Sequence, residues 1–482
     1  MAESIDVDNV LRALGKYKRY TIIQIIYNYF ICVYLIAFPM LVYVLVGYSP
    51  PHRCKPLNDD LYKYGLTDSI NVTYTVIAEE NCHTVLSLNI SNTTQTMNLP
   101  CIEGYVYDIN QETFVTEWNL VCDKAGLGEL TQTIFTAGQA VGALLFPSLS
   151  DRFGRKPVSI TAMLSVTILS FVASFSNFFV YTVLKFFTGA IQQGVGLTMA
   201  VYLLEQVPRE NRGFVSALGS FGWGTSMIGI SAVGYFMQNM SWRYVQMVSG
   251  LNGLHAIATF WILDESLRWL IANKKMTKAR LQVKKIARIN KVNVDDVLPL
   301  LEDEIEITSP LKEPDLLVNV DKQDRNPNRE NLFTILQHKL LLKTTGIMAF
   351  TWFTNSLVYF GLTFTSTQLA GDRHFNFFLN VAVETPAMIT FMILYSQRNI
   401  GIGLGSMSGR VGGMLAPYAT MLATYIEWAP GIIFGVCCGV ATLLQLLLPE
   451  TSGKELPQSV RELREWDKQR GLKFKANETK ET

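Results

Sequence analysis

The sequence predicts an all-α polytopic membrane protein, and three observations carry that prediction. Hydrophobic residues make up 49% of the 482-residue chain and charged residues only 17%, against roughly a quarter charged in an ordinary soluble domain. Ten apolar runs recur along the chain, each long enough to span a hydrocarbon core as a helix. The basic residues flanking those runs are distributed unevenly, which sets an orientation. A net charge of +1, with no basic tract interleaved with aromatics, gives no reason to expect nucleic acid as a partner.

Residues 1–19 carry Arg12, Lys16, Lys18 and Arg19 and are expected in the cytosol. The first apolar run, 20–46, is too long for the core of a secretory signal and lacks a small-residue cleavage pattern, so it reads as a retained helix. Arg152, Arg155 and Lys156 follow the second run and are also cytosolic, so residues 47–128 lie outside. That segment holds Cys54, Cys82, Cys101 and Cys122, an even number in an oxidising compartment. Two disulfides are expected, with three pairings open. Sequons at Asn71, Asn89 and Asn92 fall in the same segment and predict glycosylation there.

Runs at 129–149, 157–176, 178–204, 213–236 and 244–263 complete a six-helix unit over 20–263. Residues 264–342 are cytosolic by parity. Within them, 272–292 carries eight basic residues among apolar ones; it reads as an amphipathic helix near the membrane surface, most simply with a solvated basic face. Residues 303–331 read as linker. Runs at 343–366, 375–395, 400–424 and 429–448 form a second unit of four helices over 343–448, and 449–482 is a polar cytosolic tail. Cys32, Cys437 and Cys438 lie in membrane runs as packing residues.

The loop SLSDRFGRKP, residues 148–157, places a tight turn at Gly154 and gathers Asp151, Arg152, Arg155 and Lys156 at the cytosolic surface. Such charges can hold helix ends and opposing acids when that side is closed and release them when it opens. The D-R-x-G-R-K order resembles the loop between the second and third helices of the major facilitator superfamily, with Pro147 where a glycine is usual. A six-helix unit, a long cytosolic loop and a second helical unit is that superfamily's plan, in which two bundles rock around a midplane cavity.

Further stretches narrow the resemblance: TEWNLVC (116–122), YLLEQVPRENRG (202–213), SWRYVQ (241–246), DESLRWL (264–270), WFTNSLVYFGLT (352–363), LAGDRHFNFFL (369–379), VETPA (383–387) and LPETSGKELPQSVRE (448–462). Together they resemble the organic cation, organic anion and carnitine transporters, solute carrier family 22, over nearly the whole chain. Departures are Lys185 for a usual arginine, and Asp264 and Leu267 for usual prolines. The resemblance implies a plasma-membrane carrier of a small organic ion in the bilayer, with a coupling ion or exchanged anion. It assigns Glu205, Arg212, Glu265, Arg268 and Glu450, at cytosolic helix ends, to a gating network with Asp151, Arg152, Gly154, Arg155 and Lys156.

A charge inside a membrane helix is costly and points to function. Arg410 lies about ten residues into its run, among Gly409, Gly412 and Gly413, and its guanidinium could hold a carboxylate bidentately or pair with Glu384. Relatives tend to be basic here in anion and carnitine branches, which implies an anionic or zwitterionic substrate. Glu384 could meet a substrate ammonium or bind a proton. Trp352, Tyr359 and Phe360 match cavity aromatics of the family, and Phe221 and Trp223 extend the same argument. His255 reads as a satisfied core residue.

Between Tyr395 and Ile400 only four residues separate two apolar runs. Relatives place there a second gating loop and helices 9 and 10, so the chain reads as lacking that pair, with ten membrane helices in place of twelve. The omission brings a second expectation: a transport-incompetent, splice-type variant with a regulatory role or no function, retained in the endoplasmic reticulum. No phosphate loop, metal-ligand cluster or nucleophile–base arrangement is evident in the sequence. Enzymatic activity, a cofactor and a bound metal are not expected.

Overall fold

The computed structural model describes residues 6–15, 17–57, 73–90, 93–108, 112–301, 339–365, 372–382, 414–415, 418, 422, 426 and 428–446. A short helix α1, Val7–Leu14, precedes the first long one, α2, Arg19–Val46. A five-residue π turn at Asn28–Cys32 interrupts α2. Then come α3, Leu127–Phe153, α4, Arg155–Ala173, α5, Phe178–Glu205, and α6, Arg212–Phe236. α7 runs as Trp242–Leu251 and Ala256–Ile262, joined by a 3₁₀ turn at Asn252–His255. The helices α8, Leu267–Ala272, α9, Met276–Asn290, α10, Lys339–Thr365, and α11, Ala429–Gln445, follow.

Among the described residues, five helices are long and apolar enough to cross a membrane: the spans Arg19–Val46, Cys122–Phe153, Arg155–Ala173, Phe178–Glu205 and Leu342–Thr365. The expected runs 375–395 and 400–424 fall largely outside the described residues, as do the linker 303–331 and the tail 449–482.

Local chemistry sets the helix ends. Gly154 takes φ +110° between α3 and α4, a conformation that favours glycine because it has no Cβ. A Cβ there would also collide with the Glu265 carboxylate. The Asn177 side chain accepts the Val180 N–H at 3.0 Å and caps α5.

Residues 47–128, expected outside the membrane as a loop, contain a three-stranded antiparallel sheet. Strands β2 (Thr73–Glu79), β3 (His83–Ile90) and β4 (Thr93–Pro100) pair in order, while β1 (His52–Cys54) pairs with β5 (Tyr105–Tyr107). Thr84, Leu86 and Leu88 alternate inward along β3, with Leu99 of β4 beside them. The disulfides are Cys54–Cys101 and Cys82–Cys122, which selects one of the three open pairings and ties the sheet to the chain entering α3. Asn71 and Asn92 lie outside the described residues, and Asn89 pairs through its backbone with Thr73 and Thr94.

Inside the first unit, α3 and α5 approach backbone to backbone at Gly138, Gly142 and Gly189, the small-residue route to close membrane helices. Beside the glycines, Gln139 Nε2 donates to Gln192 Oε1 (2.8 Å), and Gln192 Nε2 donates to the Ile36 carbonyl (2.7 Å). One core joins α2 to α10: Tyr43 of α2 meets Phe364 of α10 at 5.5 Å, with Phe377 and Phe434 in the same cluster.

The helices α1, α8 and α9 enclose their own core around Val10, Leu14, Leu270, Val283 and Ile286. The amphipathic helix expected over 272–292 is present as α9, with Ala279, Val283, Ile286, Ala287 and Asn290 inward at helical spacing. Helix α1 lies within residues 1–19, where the sequence predicts no helix.

Candidate functional site

A cavity of about 460 Å³ opens where the π turn of α2 faces the C-terminal part of α5 and the N-terminal part of α6. A π turn interrupts the regular helical hydrogen-bond ladder and often marks a functional position. Here it presents Asn28, Tyr29 and Cys32 to the cavity, with Met199, Ser220 and Trp223 opposite. No described lining residue is charged.

The expected aromatics sort into three groups. Trp223 lines the cavity, and its Nε1–H donates to Tyr359 Oη at 3.1 Å, joining α6 to α10. Phe360 packs edge-on against Tyr359 at 5.0 Å and stacks on Phe364 at 6.1 Å. Phe221 meets Phe30 of the π turn at 6.2 Å. Trp352 sits two turns earlier on α10 and, among the described residues, makes no ring or hydrogen-bond contact with the other four. Glu384, Arg410 and Glu450 lie outside the described residues.

The Trp223–Tyr359 bond allows a direct check. A neutral hydrogen bond of this kind contributes about 1 kcal/mol. W223F, Y359F and the double variant, compared by thermal unfolding, should give a coupling energy of that size. Strictly additive effects would show that the bond does not join the units.

Among the described residues, the charges expected to form one gating network fall into two clusters. In the first, Arg155 donates to Glu205 Oε1 (2.8 Å) and Oε2 (3.2 Å) and to Asp151 Oδ1 (2.5 Å). Glu265 accepts the backbone N–H of Arg155 at 2.8 Å and of Ser266 at 2.9 Å, so it holds the start of α4. Trp269 Nε1 donates to the Asp151 carbonyl at 2.7 Å. Arg152 lies over the Phe153 ring and Lys156 over Phe260.

In the second cluster Arg268 pairs with Asp8 of α1 at 2.5 Å, and Arg209 joins the same carboxylate at 3.3 Å. Asp8, which the sequence reading did not single out, is buried and bonded to residues some two hundred or more positions away. The Arg212 Nε–H is buried without a partner among the described residues. Asp264, the departure from a usual proline, receives the Tyr20 hydroxyl at 3.2 Å and Lys285 at 2.7 Å.

The stretches TEWNLVC and SWRYVQ meet. Glu117 of TEWNLVC accepts Trp242 Nε1–H at 2.6 Å and pairs with Arg243 of SWRYVQ, beside Phe114, Trp118 and Tyr181. Buried Lys185 places its ammonium 5.5 Å from the Phe135 ring centre and 5.4 Å from that of Tyr181. His255 Nδ1 lies 2.7 Å from the Asn252 carbonyl, while its Nε2 is buried without a partner among the described residues.

Residues 123–396 match the family model of the Major Facilitator Superfamily. The chain is similar to the Organic cation transporter protein of Drosophila melanogaster, 28% identical over 531 aligned positions that cover 94% of this chain and 93% of that one. It is 23% identical to the Organic anion transporter 3 of Sus scrofa, covering 88% of each, and 25% identical to the Solute carrier family 22 member 6-B of Xenopus laevis, covering 77% of each. The inward open conformation of the xylose transporter XylE from E. coli superposes with a TM-score of 0.47 at 12% identity, over 70% of this chain and 90% of that one, a likeness too weak to build on.

Proposed function

This chain belongs to the major facilitator superfamily, and on that footing we propose that it moves small organic ions across the plasma membrane by alternating access, favouring anionic or zwitterionic substrates of the carnitine or organic-anion kind. The six-helix unit 20–263 and the shorter unit 343–448 are the two bodies that rock. The observation that carries the reading is the Trp223–Tyr359 bond beside the cavity, because motion of one unit against the other has to act on that contact. The described cavity wall is uncharged, so selection by charge falls to other residues. Arg410 and Glu384 are the candidates from the sequence: the guanidinium for a substrate carboxylate, the carboxylate for an ammonium or a coupling proton. The ion pairs around Arg155 would open and close with the cytosolic side.

A specific observation favours a second reading, a shortened form that does not transport. In the alignment to the Drosophila relative, 94% of 482 residues is about 453, so about 78 of the 531 positions face no residue here, enough for two membrane helices and their loops. The family match also stops at residue 396, beside the join at Gln397–Arg398. Helix 10 walls the cavity in the family plan, so its loss would leave that side open.

The test is expression of the full chain with surface glycosylation and uptake read together, using carnitine, an organic anion and an organic cation. Glycosylated protein at the surface with carnitine or anion uptake above background is the expected result. Arg410→Asp should then lower anion uptake by about tenfold to a hundredfold, the size of a charge-assisted hydrogen bond. Surface arrival with no uptake of any probe would favour the non-transporting form.

A further inference from the structure

Some basic residues of α9 serve the fold, while two near its C-terminal end meet a third cation from α2. Lys285 is engaged by Asp264, and Lys275 lies over Trp269. Arg288 and Lys291, at the far end of α9, line a cavity of about 590 Å³ together with Arg19, Ile22 and Ile23 of α2. All three cations are exposed, and among the described residues none has an acidic or hydrogen-bond partner.

This junction is built. Asn290 is buried between the two elements: its Oδ1 accepts the Tyr20 N–H at 2.9 Å, and its Nδ2 donates to the Leu14 carbonyl at 2.9 Å. The end of α9 is thereby fixed against the start of α2, so cations from two separate elements keep one spacing. The first turn of α2 adds the positive end of a helix dipole.

We propose that this junction binds the phosphate-bearing headgroup of an anionic lipid in the cytosolic leaflet. Charge alone would suit any phosphate, but the apolar side of the site selects a lipid. Arg19, Ile22, Ile23 and Ile26 follow one another at helical spacing on α2, and the isoleucines are 43%, 51% and 51% exposed on a helix that crosses the membrane. A headgroup held by Arg19, Arg288 and Lys291 would leave its acyl chains along those isoleucines. Three cations suit a polyphosphorylated inositol headgroup better than a single phosphodiester. Because it touches both α2 and α9, such a lipid would brace the cytosolic layer.

The test uses the purified full chain in neutral detergent, with dioctanoyl phosphatidylinositol bisphosphate, dioctanoyl phosphatidylcholine, inositol trisphosphate and inorganic phosphate as probes. Binding and thermal midpoint are read together, independently of transport. The inositol lipid is expected to bind and raise the midpoint, with inositol trisphosphate at least tenfold weaker and the other two silent. R288A/K291A should weaken lipid binding about tenfold or more, the order expected for two basic residues at an anionic surface. R19Q, on the other element, should act in the same direction. K274A/K278A, which removes equal charge from the opposite end of α9, should bind like the unsubstituted chain. Equal losses in the two double variants, or inositol trisphosphate binding as tightly as the lipid, would overturn the proposal.

Discussion

Replacing Arg155 with alanine should destabilise the folded chain by about 3–5 kcal/mol, the usual cost of removing one partner from a buried ion pair. The guanidinium side chain is 9% exposed and the Glu205 carboxylate 16% exposed, so deleting the cation strands an acid with little water to solvate it. Asp151 differs. It accepts the shortest bond from Arg155 but is 69% exposed, and water replaces what it loses. D151N is therefore expected to cost under about 1 kcal/mol. If stranding is the cause, R155A/E205Q should be more stable than R155A alone, because the neutral amide no longer needs a cation. R155K should fall between, since one ammonium cannot reproduce the two-pronged grip on Glu205. Thermal unfolding of the five proteins in one detergent decides the matter. An effect of D151N as large as that of R155A would show that burial is not what makes this arginine costly to lose.

The same cluster shows what could be read from the sequence and what could not. Hydropathy reports lipid contact over twenty residues at a time, so the long helices and the amphipathic α9 were legible. The ion pair of Arg155 with Glu205 was legible because both residues sit in motifs that mark cytosolic helix ends. Arg268 was assigned to that network by the same logic, yet its partner is Asp8. Nothing local to VDNVLRAL announces a contact with a residue 260 positions on. The π turn of α2 was hidden for a different reason: Asn28 is the one amide among its five residues, too little to break a hydropathy run. The three strands β2–β4 carry six threonines spread over both faces, so the buried Leu86, Leu88 and Leu99 give only a weak alternation. Four cysteines announced two bridges, but their pairing depends on the fold of that sheet.

Gly142→Leu should abolish a folded, monodisperse protein, and Gly142→Ala alone should lower the thermal midpoint clearly. A Cβ at Gly142 would overlap the Ala190 carbonyl of α5; one at Gly138 would overlap the Phe186 carbonyl, and one at Gly189 the Phe135 carbonyl of α3. Each obstacle is backbone, so no rotamer change relieves the clash and the helices have to separate. Ordinary overpacking costs about 1–3 kcal/mol when side chains can adjust, and here they cannot. Separation also pulls Gln139 from Gln192, and Gln192 from the Ile36 carbonyl, leaving buried amides unpaired at about 1–3 kcal/mol each. The damage thus spreads from one contact to the α2–α3–α5 packing that supports the cavity wall. Gly435→Ala is the matched control. Gly435 lies in α11 with nothing within 4 Å of its added Cβ, and alanine is the better helix former, so the midpoint should hold or rise slightly. Fluorescence-detected size exclusion after a heating series measures all three variants. If Gly142→Ala matched Gly435→Ala, the close approach of α3 and α5 would not be what holds this unit together.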